Sequence, residues 1–167
     1  GMAPDLDFLL LKHSAAPARL SDSGNVSEVV VPHPANGPAT MWFLPRVVDL
    51  AGVDLFHATF NIMPAGLTMP CVTTIHDVMW LTRPELCNDR LKGRIDRLFY
   101  GHGIRRALKR AAAIATVSAA TRDEIARIAP AAGRRSFVTL SGVSAVFRPN
   151  PAAAPPDLPD LPGMPPG

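Results

Sequence analysis

Short apolar runs recur along the chain, bounded by prolines, glycines and small polar residues, and most are of strand length. Leu6 to Lys12 (LDFLLLK) reads as a buried strand, because continuous apolar runs of this kind mark parallel sheets covered on both faces. Residues 13–25 are polar and small and form a loop. Ser27 to Pro32 (SEVVVP) is a second short strand, after which Pro32, Pro34, Gly37 and Pro38 break the chain. Thr40 to Gly52 has helical spacing. Leu44, Val47, Val48 and Leu50 share a broad apolar face, Pro45 fits a first turn and Gly52 is a stop. Asp54 to Thr59 (DLFHAT) and Cys71 to Ile75 (CVTTI) are the third and fourth strands.

A loop over 78–89 contains Pro84, and a long helix follows over about 90–112. Leu91, Ile95, Leu98, Ile104 and Leu108 recur at three- and four-residue steps apart from one wider gap. Gly101 and Gly103 fall in that gap and weaken the helix by about 1 kcal/mol each, which predicts a kink or break there. Ala113 to Val117 is the fifth strand. Ser118 is an N-cap for a short helix to about Ile128, although the capping-box spacing of Thr121 and Glu124 would start it a turn later. Pro130 ends that helix, and Ser136 to Leu140 is the sixth strand. Six short strands separated by helices or long crossovers predict an α/β fold with a doubly wound, mainly parallel, Rossmann-like sheet. That domain occupies residues 1–148. Residues 149–167 are rich in proline, without periodicity, and read as a linker or tail.

Composition narrows the class. The chain has 167 residues, 47% apolar and 19% charged, which is ordinary for one globular domain. No apolar run approaches the roughly 20 residues that span a bilayer, and no signal-peptide pattern opens the chain. Cys71 and Cys87 have no metal-type spacing and read as free thiols in a reducing cytoplasm. The net charge of +3 is mild. The basic residues concentrate in the long helix, where Arg90, Lys92, Arg94, Arg97, Arg105, Arg106, Lys109 and Arg110 face Asp96 as the single acid. Such a helix is either a solvated face or a contact for anionic lipid head groups, which leaves a peripheral position at the inner membrane face open beside a plain cytoplasmic one. Nucleic acid is not indicated, since aromatic residues are only 6% of the chain. No G-x-G-x-x-G follows a strand and no Walker loop is present, so a dehydrogenase-type dinucleotide fold is not supported, and the lack of G-x-S-x-G argues against an α/β-hydrolase.

The candidate chemistry gathers at strand ends, where open α/β sheets bind ligands. His76 and Asp77 close the fourth strand. A histidine there can hydrogen-bond a substrate hydroxyl or a developing charge, or it can be a core residue tied to a backbone carbonyl. Asp77 can orient the following loop or cap a turn. His57, in the third strand, is a satisfied core residue or approaches the cleft. Asn61, just beyond that strand, touches ligand or shapes a turn. Ser118 caps its helix, and the free amides at that helix start attract anions.

The ordered set "DLFHATFNIMP", "MPCVTTIHDVMWLTRPE", a basic helix, "AAAIATVSAATRDEIAR" and "SFVTLSGVSAVFRP" resembles the N-terminal half of a retaining GT-B glycosyltransferase of the group-1 family, also called family 4. The resemblance covers residues 54–149. It implies a nucleotide-sugar donor, a glycan or lipid-linked acceptor, no metal and no separate cofactor. His76 would stand beside the transferred sugar as the catalytic residue. Asp77, Asn61, His57, Ser118 and Gly142 would be substrate-binding positions. Gly142 matches the family's N-G-V-D glycine, whereas Ser141 and Ser144 stand where Asn and Asp are expected. Leu6 to Lys12 corresponds to the family's second strand, so the first strand and its glycine-rich loop are not seen, nor is the second domain. The expectation is an acceptor-side domain inactive alone. The alternative is a non-catalytic binding or interaction module derived from such an enzyme. In a doubly wound sheet the first strand sits centrally. Without it the remaining strands close up, or they leave an exposed edge that favours a homodimer.

Overall fold

The computed structural model describes residues 3–16, 18–87, 91–144 and 147, and of residues 91–94 the backbone only. The proline-rich stretch 149–167 and the side chains of Arg90, Lys92 and Arg94 lie outside the described residues. Among the described residues there are six strands: β1 (Phe8–His13), β2 (Val26–Val31), β3 (Phe56–Ala58), β4 (Cys71–Ile75), β5 (Ala113–Thr116) and β6 (Ser136–Val138). The helices described are α1 (Pro38–Val47), α2 (Met79–Thr82), α3 (Leu91–Arg110), α4 (Ala119–Ile128) and α5 (Pro130–Gly133), with a 3-10 turn at Pro84–Leu86. All pairings are parallel, and the fold is α/β and Rossmann-like.

The strands divide into two sheets, β1-β2 and β3-β4-β5-β6. They do not close up: among the described residues β1 and β3 each keep one unpaired edge. Phe56 of β3 links the two parts. It packs against Val31, Leu44 and Val48 on one side and against the main core on the other. The main core joins the face of β4 and β5 to the inner sides of α3 and α4 through Ile75, Ile104, Ile114 and Ile125. Each of these is fully buried, and burying such a side chain stabilises the fold by about 1.5–3 kcal/mol. The opposite face of the same sheet carries His57 and Phe137, both exposed.

Local sequence explains where the elements depart from expectation. The first run is not a buried strand, since Phe8 and Leu9 remain 41% and 37% exposed. Its sheet has two strands, and α1 with Val31 and Leu11 covers one side of it. Lys12 and Glu28 form an ion pair at 2.5 Å between these strands, and Glu28 also accepts from the amides of Leu20 and Ser21. These bonds pin the 14–25 loop.

Helix α1 starts earlier than expected, with Pro38 in its first turn, and Pro45 lies inside it. A proline there cannot donate to the carbonyl of Met41. The amide of Ala65 donates to that carbonyl instead at 2.6 Å, so the break in the helical ladder anchors the loop before β4. The helix ends at Val47 and not at Gly52, which turns the chain with φ at 76°.

Helix α3 runs unbroken through Gly101 and Gly103. Gly103 is needed for packing and not for bending: a Cβ there would lie 2.4 Å from Cγ2 of Ile62. The gap in apolar spacing is therefore the site where α3 comes closest to the loop after β3. Ser118 is the N-cap of α4, accepting from the amide of Thr121 at 3.1 Å. The later start suggested by Thr121 and Glu124 is not taken, because the Thr121 hydroxyl is bonded elsewhere.

Candidate active site at the strand ends

Parallel pairing brings the carboxyl ends of β3, β4, β5 and β6 to one edge. His76 follows β4 directly and is exposed there. Its backbone is held from both sides. The Asn61 carboxamide oxygen accepts its N–H at 2.7 Å, and its carbonyl accepts from the Thr121 hydroxyl at 3.0 Å. Thr121 in turn contacts the Ser118 hydroxyl at 3.0 Å. One chain of hydrogen bonds thus runs from the loop after β3, through the end of β4, to the first turn of α4. Asn61 and Thr121 are 3% and 8% exposed, so this chain is shielded from competing water.

The imidazole is placed as firmly. Its Nε2 lies 3.1 Å from the carbonyl of Thr59, and its ring lies against Phe60 with centroids 5.1 Å apart. A carbonyl only accepts, so Nε2 carries the proton. In the neutral ring Nδ1 is then an acceptor, able to take a hydrogen bond from a hydroxyl. Among the described residues Nδ1 has no hydrogen-bond partner. Both nitrogens donate only in the imidazolium.

The remaining candidates separate. Asp77 accepts from the amide of Met79 at 2.9 Å, closing a turn that leads into α2. Asn61 spends its oxygen on the His76 amide. His57 is exposed and bonds through Nε2 to the Thr74 hydroxyl at 2.8 Å, across β3 and β4 and two residues before His76. Ser118 sits at the head of α4, joined to His76 through Thr121. Gly142 lies beyond β6 with open space around it and no contact to the others. The sequence reading did not single out Thr59, Phe60 or Thr121. Thr121 was detectable as the first residue of α4 facing back toward the strand ends, three positions after an N-cap serine. Among the described residues no three His, Cys, Asp or Glu side chains are placed to hold a metal ion.

Residues 10–145 match the family model described as Glycosyltransferase Family 4. The chain belongs to glycosyltransferase family 4. No curated protein and no solved structure matches it. The matched residues of this family-4 domain run from β1 past β6 and contain the whole hydrogen-bonded chain around His76. Among the described residues no helix of the domain is long and apolar enough to cross a membrane.

Proposed function

We propose that this domain forms the acceptor-side wall of a transfer site, where a sugar moves from a nucleotide-sugar to an acceptor with retention of configuration. His76 is the catalytic residue and meets the transferred sugar through Nδ1. The observation that supports this is the fixing of His76. Its backbone is bonded on both sides and its ring is oriented by Thr59 and Phe60, while the ring edge itself stays exposed. Preorganisation of that kind is what a group acting on a transition state requires.

On this reading the domain by itself binds its ligands but does not turn them over. The side chains hydrogen-bonded into the network around His76 are neutral: Asn61, Ser118 and Thr121. A departing nucleoside diphosphate needs cations or aligned dipoles to take up its charge. The open edges of β1 and β3 also favour pairing between chains. Light scattering at micromolar concentration is expected to show dimers, and a monomer mass throughout would refute that part.

The test is a thermal-shift screen against nucleotide-sugars and against glycan and lipid-like acceptors, with His76→Ala as the comparison. Loss of the hydrogen bond to the transferred sugar is expected to weaken nucleotide-sugar binding about 3–10-fold with an unchanged circular-dichroism spectrum. Equal binding by His76→Ala would remove His76 from the site. Sustained turnover by the isolated chain on any nucleotide-sugar would overturn the assignment of a single wall.

A further inference from the structure

Helix α3 turns a stripe to solvent that the core does not use. Ile95, Leu98, His102, Arg105 and Lys109 recur at three- and four-residue steps, which is one helical face, and all five are exposed. The opposite face is buried through Ile104, Ala107 and Leu108. Ile95 and Leu98 are 67% and 75% exposed.

On one flank Trp42 of α1 meets the ring of Phe99 edge-on at 5.6 Å and lies 6.4 Å from His102. Trp42 and Phe43 still show 44% and 48% of their surface, and the Arg46 guanidinium lies 5.5 Å over the Phe43 ring. On the other flank Arg105 and Lys109 border a groove of about 390 Å³ floored by Leu81, Leu108 and Ile128. Apolar and aromatic groups are thus interleaved with cations continuously across two helices. Isolated exposed apolar residues are ordinary, but a joined patch of them is not.

Charge identifies the occupant. Among the described residues none of Arg46, Arg105 and Lys109 is paired with a carboxylate. A second copy of the chain would set these cations against their own kind. A nucleic acid would use the cations and leave Phe43 and Leu98 without partners. A bilayer with anionic head groups satisfies both sets.

We propose that this surface docks on an anionic lipid bilayer. Trp42, Phe43 and Leu98 enter the head-group region, and Arg46, Arg105 and Lys109 meet lipid phosphates. The inference rests on α1 and α3 alone, so its failure would leave the reading of His76 untouched.

The experiment is co-sedimentation with phosphatidylcholine vesicles and with mixed phosphatidylcholine–phosphatidylglycerol vesicles. Tryptophan emission is recorded in a Trp80→Phe background so that Trp42 reports alone. Binding is expected with the mixed vesicles and not with neutral ones, together with a blue shift of Trp42. Arg105→Glu with Lys109→Glu is expected to lower partitioning at least tenfold, since each basic residue near an anionic surface contributes about 1 kcal/mol. Trp42→Ala should lower it while keeping the preference for anionic lipid. Arg122→Glu and Arg127→Glu, on α4, should change nothing, and melting curves establish that each variant folds. Equal binding to neutral vesicles, indifference to the double charge reversal, or self-association through the same residues would each overturn the proposal.

Discussion

Two glycines two residues apart on α3 should respond to alanine with opposite signs. At Gly101 a new Cβ would meet the Arg105 guanidinium at 3.2 Å and Leu81 at 3.7 Å. The first is the end of a flexible exposed side chain and can move aside. Replacing glycine by alanine in a helix interior then stabilises by about 1 kcal/mol. At Gly103 the same atom would lie 2.4 Å from Cγ2 and 2.9 Å from Cβ of Ile62, and 3.2 Å from Cε of Met41. Ile62 and Met41 are 3% and 0% exposed and have no room to withdraw. Over-packing of a filled core costs about 1–3 kcal/mol. Against a helical gain of about 1 kcal/mol, Gly103→Ala should come out destabilised by up to about 2 kcal/mol.

The two variants should therefore differ by about 1–3 kcal/mol, or about 2–12 °C in Tm for a domain of this size. Paired thermal and urea melts read the difference directly. Adding Ile62→Ala to Gly103→Ala should recover part of the loss, because the two side chains compete for one space. Ile62 adjoins Asn61, so Gly103→Ala should also loosen the bond that holds His76. If Gly103→Ala is as stable as Gly101→Ala, the close approach of α3 to the loop after β3 is wrong.

Three further outcomes follow from the same geometry. Asn61→Leu leaves the part-buried His76 N–H without its partner and should cost about 1 kcal/mol, measured by urea denaturation. Glu28 has its pKa lowered to about 2 from 4.5, chiefly by the Lys12 ammonium and next by the Leu20 amide. A depressed carboxylate stabilises the fold above its unfolded pKa and loses that contribution as pH falls. Stability should decline from about pH 4.5 toward pH 2 and do so less in Glu28→Gln, followed by circular dichroism. Cys71 is buried, and burial pushes its thiol above the ordinary value, whereas Cys87 is partly exposed. Iodoacetamide should label Cys87 first in the native state, and both only after unfolding.

Much of the architecture was legible in the chain because it depends on local pattern. The apolar runs marked all six strands, CVTTI to the residue, and the single basic amphipathic run marked α3. The ends were less legible where a tertiary contact intervened. Pro45 looked like a first-turn residue because nothing nearby in sequence announces that Ala65 takes the carbonyl it frees. Gly101 and Gly103 looked alike because propensity sees only the helix, and Ile62 is brought to one of them by the loop after β3. The first apolar run looked buried because periodicity reports hydrophobicity and not what covers it.

The same division holds at the site. The sequence by itself placed His76 and Asp77 at the end of a strand, since strand length and the following breakers are local properties. It also supplied the order of motifs that the family match over residues 10–145 bears out. Only the tertiary structure decided what holds His76. Asn61 precedes it by 15 residues and Thr121 follows by 45, and parallel pairing of β3, β4 and β5 brings all three to one edge. The direction of the imidazole proton was decided the same way, because the Thr59 carbonyl reaches Nε2 across two strands. Residue type and spacing carry the chemistry a strand end can offer. Which atoms are committed, and which remain free for a substrate, depends on partners that only folding brings near.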